Sequence, residues 1–494
     1  MDSRENVNSC CLERARRFRP SAQRGACVLA AVLLWALSGA AQAGSKFTPR
    51  VTAEGTYTDN IRLDAAAEAQ SETVLHLAPG FAFVQTGPRL NATVNYELSG
   101  YFYNNSSDSN ETVNTLDAAA TGTLVPDLFY LDLLGRAGRT VVDPLEPIAT
   151  GDYYTGANFT DVALWRATPR LVHEFGGDVK ALLQYDYGTI YYTKDLAGGA
   201  QLPNLTTRNA LFSLDHTAKP GAFGWTAKVE RQEAQYQGLE SAVYSNAEGT
   251  AELPLGQSLW FLATAGSESD LNKSITDGKL DSFYWEGGFR WIITANQQLR
   301  VTAGRRFYGD SFNAEYSLNG RRIKAGLAYT EAPAAQGIEL YVNQIFPNDP
   351  AQPLPGYTPQ GQQIYLRKSA TGWATLAGAR NDLTLQVLDD RRDYITALGS
   401  EHTQRATLGW RYRLGPRTEV HAGVGLIRLG YREQDRKDDL FNVGMGVTRR
   451  LGRFLELTAD YRYWKRDVNG ALIGGPVAVG FTENAFTLGL RYGR

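Results

Sequence analysis

The residue types that carry chemistry do not converge anywhere in this chain. The five histidines, His76, His173, His216, His402 and His421, are scattered, and no pair has the spacing of a metal-binding helix motif. There is no phosphate-cradling glycine loop and no Gly-x-Ser-x-Gly elbow. The three cysteines, Cys10, Cys11 and Cys27, all lie near the N-terminus. A Ser/His/carboxylate site assembled from distant strands would leave no local signature, but nothing here supports one, and the chain reads as a non-enzyme without a cofactor or metal. What does recur is charge at every second position. Glu456, Thr458, Asp460 and Arg462 alternate with Leu455, Leu457, Ala459 and Tyr461. Side chains two apart on a strand share a face, so this spacing builds one polar wall of both charge signs and one apolar wall.

The start of the chain serves a different purpose. Arg14, Arg16, Arg17, Arg19 and Arg24 precede the apolar run Ala26–Leu37, and Ala41-Gln42-Ala43 follows. A basic region, a short apolar core and a small-x-small site read as a secretory signal peptide over 1–43, cleaved after Ala43. The apolar run falls short of the ~20 residues that a spanning helix needs. Cleavage leaves a mature chain without cysteine, so disulfides cannot hold it together. The formal net charge of −2 gives no broad basic surface for nucleic acid.

Alternation recurs throughout the rest. Leu75, Leu77, Phe81 and Phe83 mark one segment, and Leu90, Ala92, Val94, Tyr96 and Leu98 the next. Phe283, Trp285, Phe289, Trp291 and Ile293 form the most aromatic face, and Phe486, Leu488, Leu490 and Tyr492 close the chain. These segments are longer than the about five or six residues of an average strand. Short turns at 86–88, 125–127, 175–178, 254–257, 319–320, 414–417 and 450–453 alternate with longer polar loops, among them 104–112, 143–159, 193–208 and 430–439. Short turns on one side and long loops on the other are the signature of a transmembrane antiparallel outer-membrane β-barrel. About ten short turns predict about 22 strands, within a range of 18 to 24. They make a single domain over 44–494, with the last strand pairing with the first around Val51–Tyr57. In hydrocarbon every backbone polar group must be paired within the protein, so the sheet has to close.

The polar alternates then face the lumen. They include Glu97, Asp132, Arg136, Lys180, Asp186, Lys228, Glu230, Arg300, Arg411, Arg413, Glu456, Asp460 and Arg462. A charge in lipid costs about 2–4 kcal/mol at mid-depth, which excludes them from the outer face. Mixed signs give no steering field, so this wall is either mutually paired and solvated or favours uncharged or mixed-charge polar solutes. About 22 strands enclose a barrel roughly 40–45 Å across, too wide to stand open. The Pro-rich stretch 331–363 reads as a lid or constriction, or as an external loop. Tyr153-Tyr154, Tyr191-Tyr192 and Tyr461, Tyr463 and Trp464 read as an interfacial aromatic girdle or as platforms for sugar rings. The charge run 432–439 reads as solvated loop.

Several stretches, in order, carry a resemblance: TYTDNIRLD (56–64), LAPGFAF (77–83), NYELSGYFY (95–103), NTLDAAATGTLVPDLFYLD (114–132), YRYWKRD (461–467) and FTENAFTLGL (481–490). Together they resemble outer-membrane proteins associated with the PEP-CTERM exopolysaccharide and protein-sorting system, within a broader set of porin-like β-barrels of capsule and exopolysaccharide loci. The resemblance implies a Gram-negative outer-membrane location and a part in exopolysaccharide production or export. General diffusion porin and non-conducting scaffold for export machinery stand as alternatives. It implies membrane lipid and lipopolysaccharide as surroundings, the barrel-assembly machinery during insertion, and exopolysaccharide and export proteins as partners. It supplies no active site. Thr58, Asp59 and Asn60 match a family motif without an assigned role, and locally Asp59 and Asn60 read as a turn after the first strand.

Overall fold

The computed structural model describes residues 44–141, 147–148, 151–155, 158–176, 178–192, 203–216, 219–335, 364–395, 399–431, 436–470 and 479–493. Residues 1–43, where the signal peptide is expected, and most of the Pro-rich stretch lie outside them. The described chain is a ring of antiparallel strands. In order these are β1 Ser45–Thr58, β2 Glu72–Thr86, β3 Leu90–Tyr103, β4 Glu111–Val125, β5 Phe129–Val141, β6 Phe159–Phe175, β7 Val179–Tyr192 and β8 Leu205–His216. There follow β9 Gly224–Tyr236, β10 Ser241–Pro254, β11 Leu259–Glu268, β12 Ser282–Thr294, β13 Gln297–Arg306, β14 Gly309–Asn319 and β15 Ile323–Ala335. The last are β16 Ile364–Ala377, β17 Asn381–Tyr394, β18 Ser400–Arg413, β19 Thr418–Tyr431, β20 Arg436–Arg450, β21 Leu455–Asn469 and β22 Phe481–Tyr492. Each strand pairs with its chain neighbours, and β1 pairs with β22 from Val51↔Tyr492 to Thr58↔Ala485. The 22-stranded sheet therefore has no free edge.

The ten connections at the end shared with the chain termini are two to seven residues long. Those at the other end vary more than the sequence pattern predicts, from two residues at 307–308 to the 28 of 336–363. We call the first end periplasmic and the second extracellular, by the convention of bacterial barrels.

Burial is inverted relative to a soluble protein. Phe486 and Leu488 are each 52% exposed on the outer face, while Thr56, Thr58 and Glu483 on the inner face are buried. On β21 the outward row runs Leu455, Leu457, Ala459, Tyr461, Tyr463 and then turns charged at Lys465 and Asp467. On β19 it runs Val420, Ala422, Val424, Leu426, then Arg428, which pairs with the outward Asp439 of β20 at 2.7 Å. The eight-residue step from Leu455 to Tyr463, at a rise of ~3.4 Å and a tilt of ~40°, spans about 20 Å along the barrel axis, close to the ~25 Å apolar band of such barrels.

The charge run 432–439 corrects one reading. Its second half belongs to β20, and Arg436 and Asp438 point inward and are buried. Arg436 donates to Asp438 at 2.8–2.9 Å, and Arg466 donates to the same carboxylate at 2.5 Å. The run looked like loop because the strand rises above the lipid, where both of its faces are charged. The loop placed over 193–208 likewise ends early, since Leu205 already opens β8.

The inside-out arrangement predicts opposite costs for one charge at adjacent positions. In urea titrations of the barrel refolded into lipid vesicles, Leu488→Arg should destabilise by about 2–4 kcal/mol and Thr487→Arg by much less. Equal costs would contradict the assigned faces.

Candidate functional site: the lumen wall and its extracellular closure

The strand register places every charged residue singled out above on the inner face, and nearly all have partners there. Asp132 accepts from Thr121 at 2.7 Å and from Arg170 at 2.6 Å. Asp186 accepts from Thr168, Gln184 and Asn209. Lys228 pairs with Glu230, Arg136 with Asp117, Arg411 with Glu419, and Arg413 with Asp382. Arg300 lies 3.9 Å from Glu252, and Glu456 the same distance from Arg450. Asp460 meets His421 at 2.8 Å. Glu97 accepts from Ser99 at 3.4 Å, and Lys180 is exposed, opposite Glu174 and Asp215 in the register. Toward the periplasmic end this face is open: Asn91, Thr93 and Asn95 are exposed.

Toward the extracellular end the interior changes character. The inner wall carries apolar clusters there, completed by residues from external loops. Ile61 and Leu63 come from the β1–β2 loop, Ile148, Tyr153 and Tyr154 from the β5–β6 loop, and Leu271 and Ile275 from the β11–β12 loop. A wholly polar interior was expected; these loops fold inward because their few aliphatic and aromatic side chains find an apolar surface only inside.

One buried carboxylate organises this closure. Glu483, at the top of β22, has no exposed surface. It accepts from Thr58 Oγ at 2.9 Å, from Tyr153 Oη at 3.1 Å and from Tyr154 Oη at 2.7 Å, and Arg462 lies 3.4 Å away. Arg462 also donates to both tyrosine hydroxyls. A buried charge is tolerated only when paired and fully hydrogen-bonded, and Glu483 meets that condition through four residues from three other segments of chain. Burial pushes the Tyr153 hydroxyl well above the usual tyrosine range, so it remains a proton donor to Glu483. The two tyrosine rings stack at 4.4 Å. Tyr103 Oη donates to the carbonyl of Tyr153 at 2.9 Å, and Arg139, forked onto Glu111, donates to the carbonyl of Asp152 at 3.2 Å.

The Thr58-Asp59-Asn60 stretch ties this assembly to the barrel seam. Asp59 accepts from the backbone N–H and side-chain amide of Asn484, both at 2.7 Å, while its own N–H donates to the Asn484 carbonyl. Asn60 is buried; its amide donates to the carbonyls of Asp64 and Thr482, and its oxygen accepts from Asp64 N–H. The local turn expected of Asn60 is present, and the long-range half of its bonding, to β22, was invisible in one strand's sequence. The girdle reading fails for Tyr153, Tyr154 and Trp464. Tyr154 and Trp464 are buried in the interior cluster, which Tyr153 packs against, whereas Tyr461 does sit on the outer face. Of the stretch 331–363, residues 331–335 belong to β15 and 336–363 lie outside the described residues. The described part of the closure is made by shorter loops, whose signal is an aliphatic or aromatic pair within otherwise polar sequence.

Comparison with solved structures places the fold. The chain is similar to the FrpB iron transporter from Neisseria meningitidis (F3-3 variant), with a TM-score of 0.52 at 11% identity, covering 93% of this chain and 82% of that one. Its F5-1 variant gives 0.51 at 10% identity, covering 91% and 82%. A variant of the ferric enterobactin receptor from Pseudomonas aeruginosa, in complex with enterobactin, gives 0.50 at 12% identity, covering 92% and 82%. No protein-family model matches the chain, and no curated protein is similar to it in sequence. At these identities the likeness is one of fold: the chain has the architecture of outer-membrane β-barrel transporters.

Asn60→Ala strips the partners from two carbonyls and one N–H inside the protein, a cost of about 1–3 kcal/mol per unsatisfied buried group. Hydrogen exchange should quicken at the backbone amides of Ile61, Leu63 and Asp64 while the amides of β8 and β9 stay protected. Unchanged exchange in the loop would contradict its anchoring role.

Proposed function

We propose that this chain is an outer-membrane barrel that passes or guides a polar solute or polymer, held shut on its extracellular side by inward-folded loops. The observation that carries the reading is the contrast along the lumen: an exposed polar wall at the periplasmic end and a packed apolar closure, cross-linked by Glu483 and Arg462, at the other. The residues from Glu97 to Arg462 named above would form the wall met by the solute. Their mutual pairing leaves little net field, which suits an uncharged or mixed-charge cargo. The resemblance to proteins of the PEP-CTERM system makes exopolysaccharide the cargo we favour, with delivery to the outer membrane through a signal cleaved after Ala43. A closed mouth argues against a general diffusion porin. A non-conducting scaffold is the remaining alternative.

Planar-bilayer recordings separate these readings. The wild-type barrel should be silent or open rarely, and Tyr153→Ala with Tyr154→Ala should give steady conductance. Steady conductance in the wild type would favour a diffusion porin. Silence in both, and after removal of 336–363, would favour a scaffold.

A further inference from the structure

The inner wall over β17–β22 holds a recess of about 560 Å³, within the volume range of small-molecule sites. Its floor is backbone. Gly409, Gly423 and Gly444 lie side by side in the register of β18, β19 and β20. A Cβ added at these positions would meet nothing closer than 3.6 Å, so close packing does not require glycine there. None has a positive φ. Glycine weakens a strand and often marks a place where a ligand approaches the backbone; here its effect is to leave room.

Two independent observations indicate what the room holds. First, Thr384, Gln386, Thr407 and Asn442 border the recess, and among the described residues their side chains make no hydrogen bond. Each can donate and accept. The charged groups beside them are committed: His421 to Asp460 at 2.8 Å, and Arg462 to Glu483 and the tyrosines. Second, Trp373 stands directly opposite Gln386 in the register, on the inner face. Its ring edge lies against Gly326, where an added Cβ would come within 2.5 Å of the indole nitrogen. Trp373 remains 43% exposed although it faces the lumen. A large aromatic surface left bare on a polar wall is the informative kind of exposure.

We infer that this recess and Trp373 beside it bind a neutral oligosaccharide, one pyranose ring lying on Trp373 and the hydroxyls of successive units meeting Gln386, Thr384, Thr407 and Asn442. An apolar plate beside uncharged groups that both donate and accept complements a molecule with flat C–H faces and a rim of hydroxyls. The lack of an uncommitted charge disfavours acidic sugars. The inference rests on the passage reading above, for which it names the substrate class.

The test uses the full barrel in an amine-oxide detergent, which carries no sugar headgroup, and isothermal titration with cellohexaose, mannohexaose and hexagalacturonate. At least one neutral hexamer should bind saturably and more tightly than hexagalacturonate. Trp373→Ala and Gln386→Ala should each weaken it about tenfold, and Gly423→Leu, which fills the recess, should abolish it. Trp410→Ala, on the outer face, should change nothing. Heat-modifiable gel migration confirms that each variant is folded. Absence of binding by both neutral hexamers, preference for hexagalacturonate, or affinity unchanged in Trp373→Ala would overturn the proposal. Bilayer recordings on the same samples keep the two claims apart. Conductance without binding removes the recess alone, and binding without any conductance in wild type or the Tyr153/Tyr154 variant removes passage and leaves the site.

Discussion

Everything in this structure follows from a rule about unpaired backbone. In hydrocarbon an N–H or C=O without a partner costs several kcal/mol, so a sheet can cross a membrane only as a closed ring. The pairing of β22 with β1 meets that requirement. The seam also carries dense side-chain bonding. Thr56 meets Thr487 at 2.9 Å, Thr58 meets Glu483, and Asp59 and Asn60 hold Asn484 and Thr482. The strands joined there are the most distant in sequence, so closing them carries the largest loop entropy, and the added bonds offset it where the ladder ends.

The same ring separates two solvents. Outside, the apolar band meets lipid and gives way to charged pairs such as Arg428–Asp439 above it. Inside, the wall is polar and largely self-paired, then becomes apolar where the loops return. Glu483 links these regions. It belongs to the seam through Thr58, to the wall through Arg462 and to the closure through Tyr153 and Tyr154. A structural bond of the barrel is thereby coupled to the state of its mouth, and a loop movement that withdraws the tyrosines leaves a buried carboxylate with Thr58 and Arg462 alone.

The sequence showed most of the fold and little of the site. Period-two alternation in stretches such as Leu455–Tyr461 identified strands and faces because lipid outside and water inside demand opposite chemistry at adjacent residues. Short turns such as LGPR fixed the topology. The interior closure was hidden because its partners are far apart: nothing near Tyr153 in sequence announces Glu483, and nothing near Thr58 announces β22. Period-two reasoning assumes a polar interior throughout, so it reads Trp464 as part of an interfacial girdle or a sugar platform, and Arg436 and Asp438 as loop. The glycines of β18–β20 are far apart in sequence, and only the register sets them side by side.

The claim beneath all of this is that adjacent residues of β21 look into different media. Spin labels at Leu457 and at Thr458, in the barrel reconstituted into lipid vesicles, measure it directly through collision with oxygen, which concentrates in lipid, and with a water-soluble nickel chelate. The account predicts oxygen access at position 457 and chelate access at position 458. The reverse pattern, or equal access to the chelate at both positions, would contradict it.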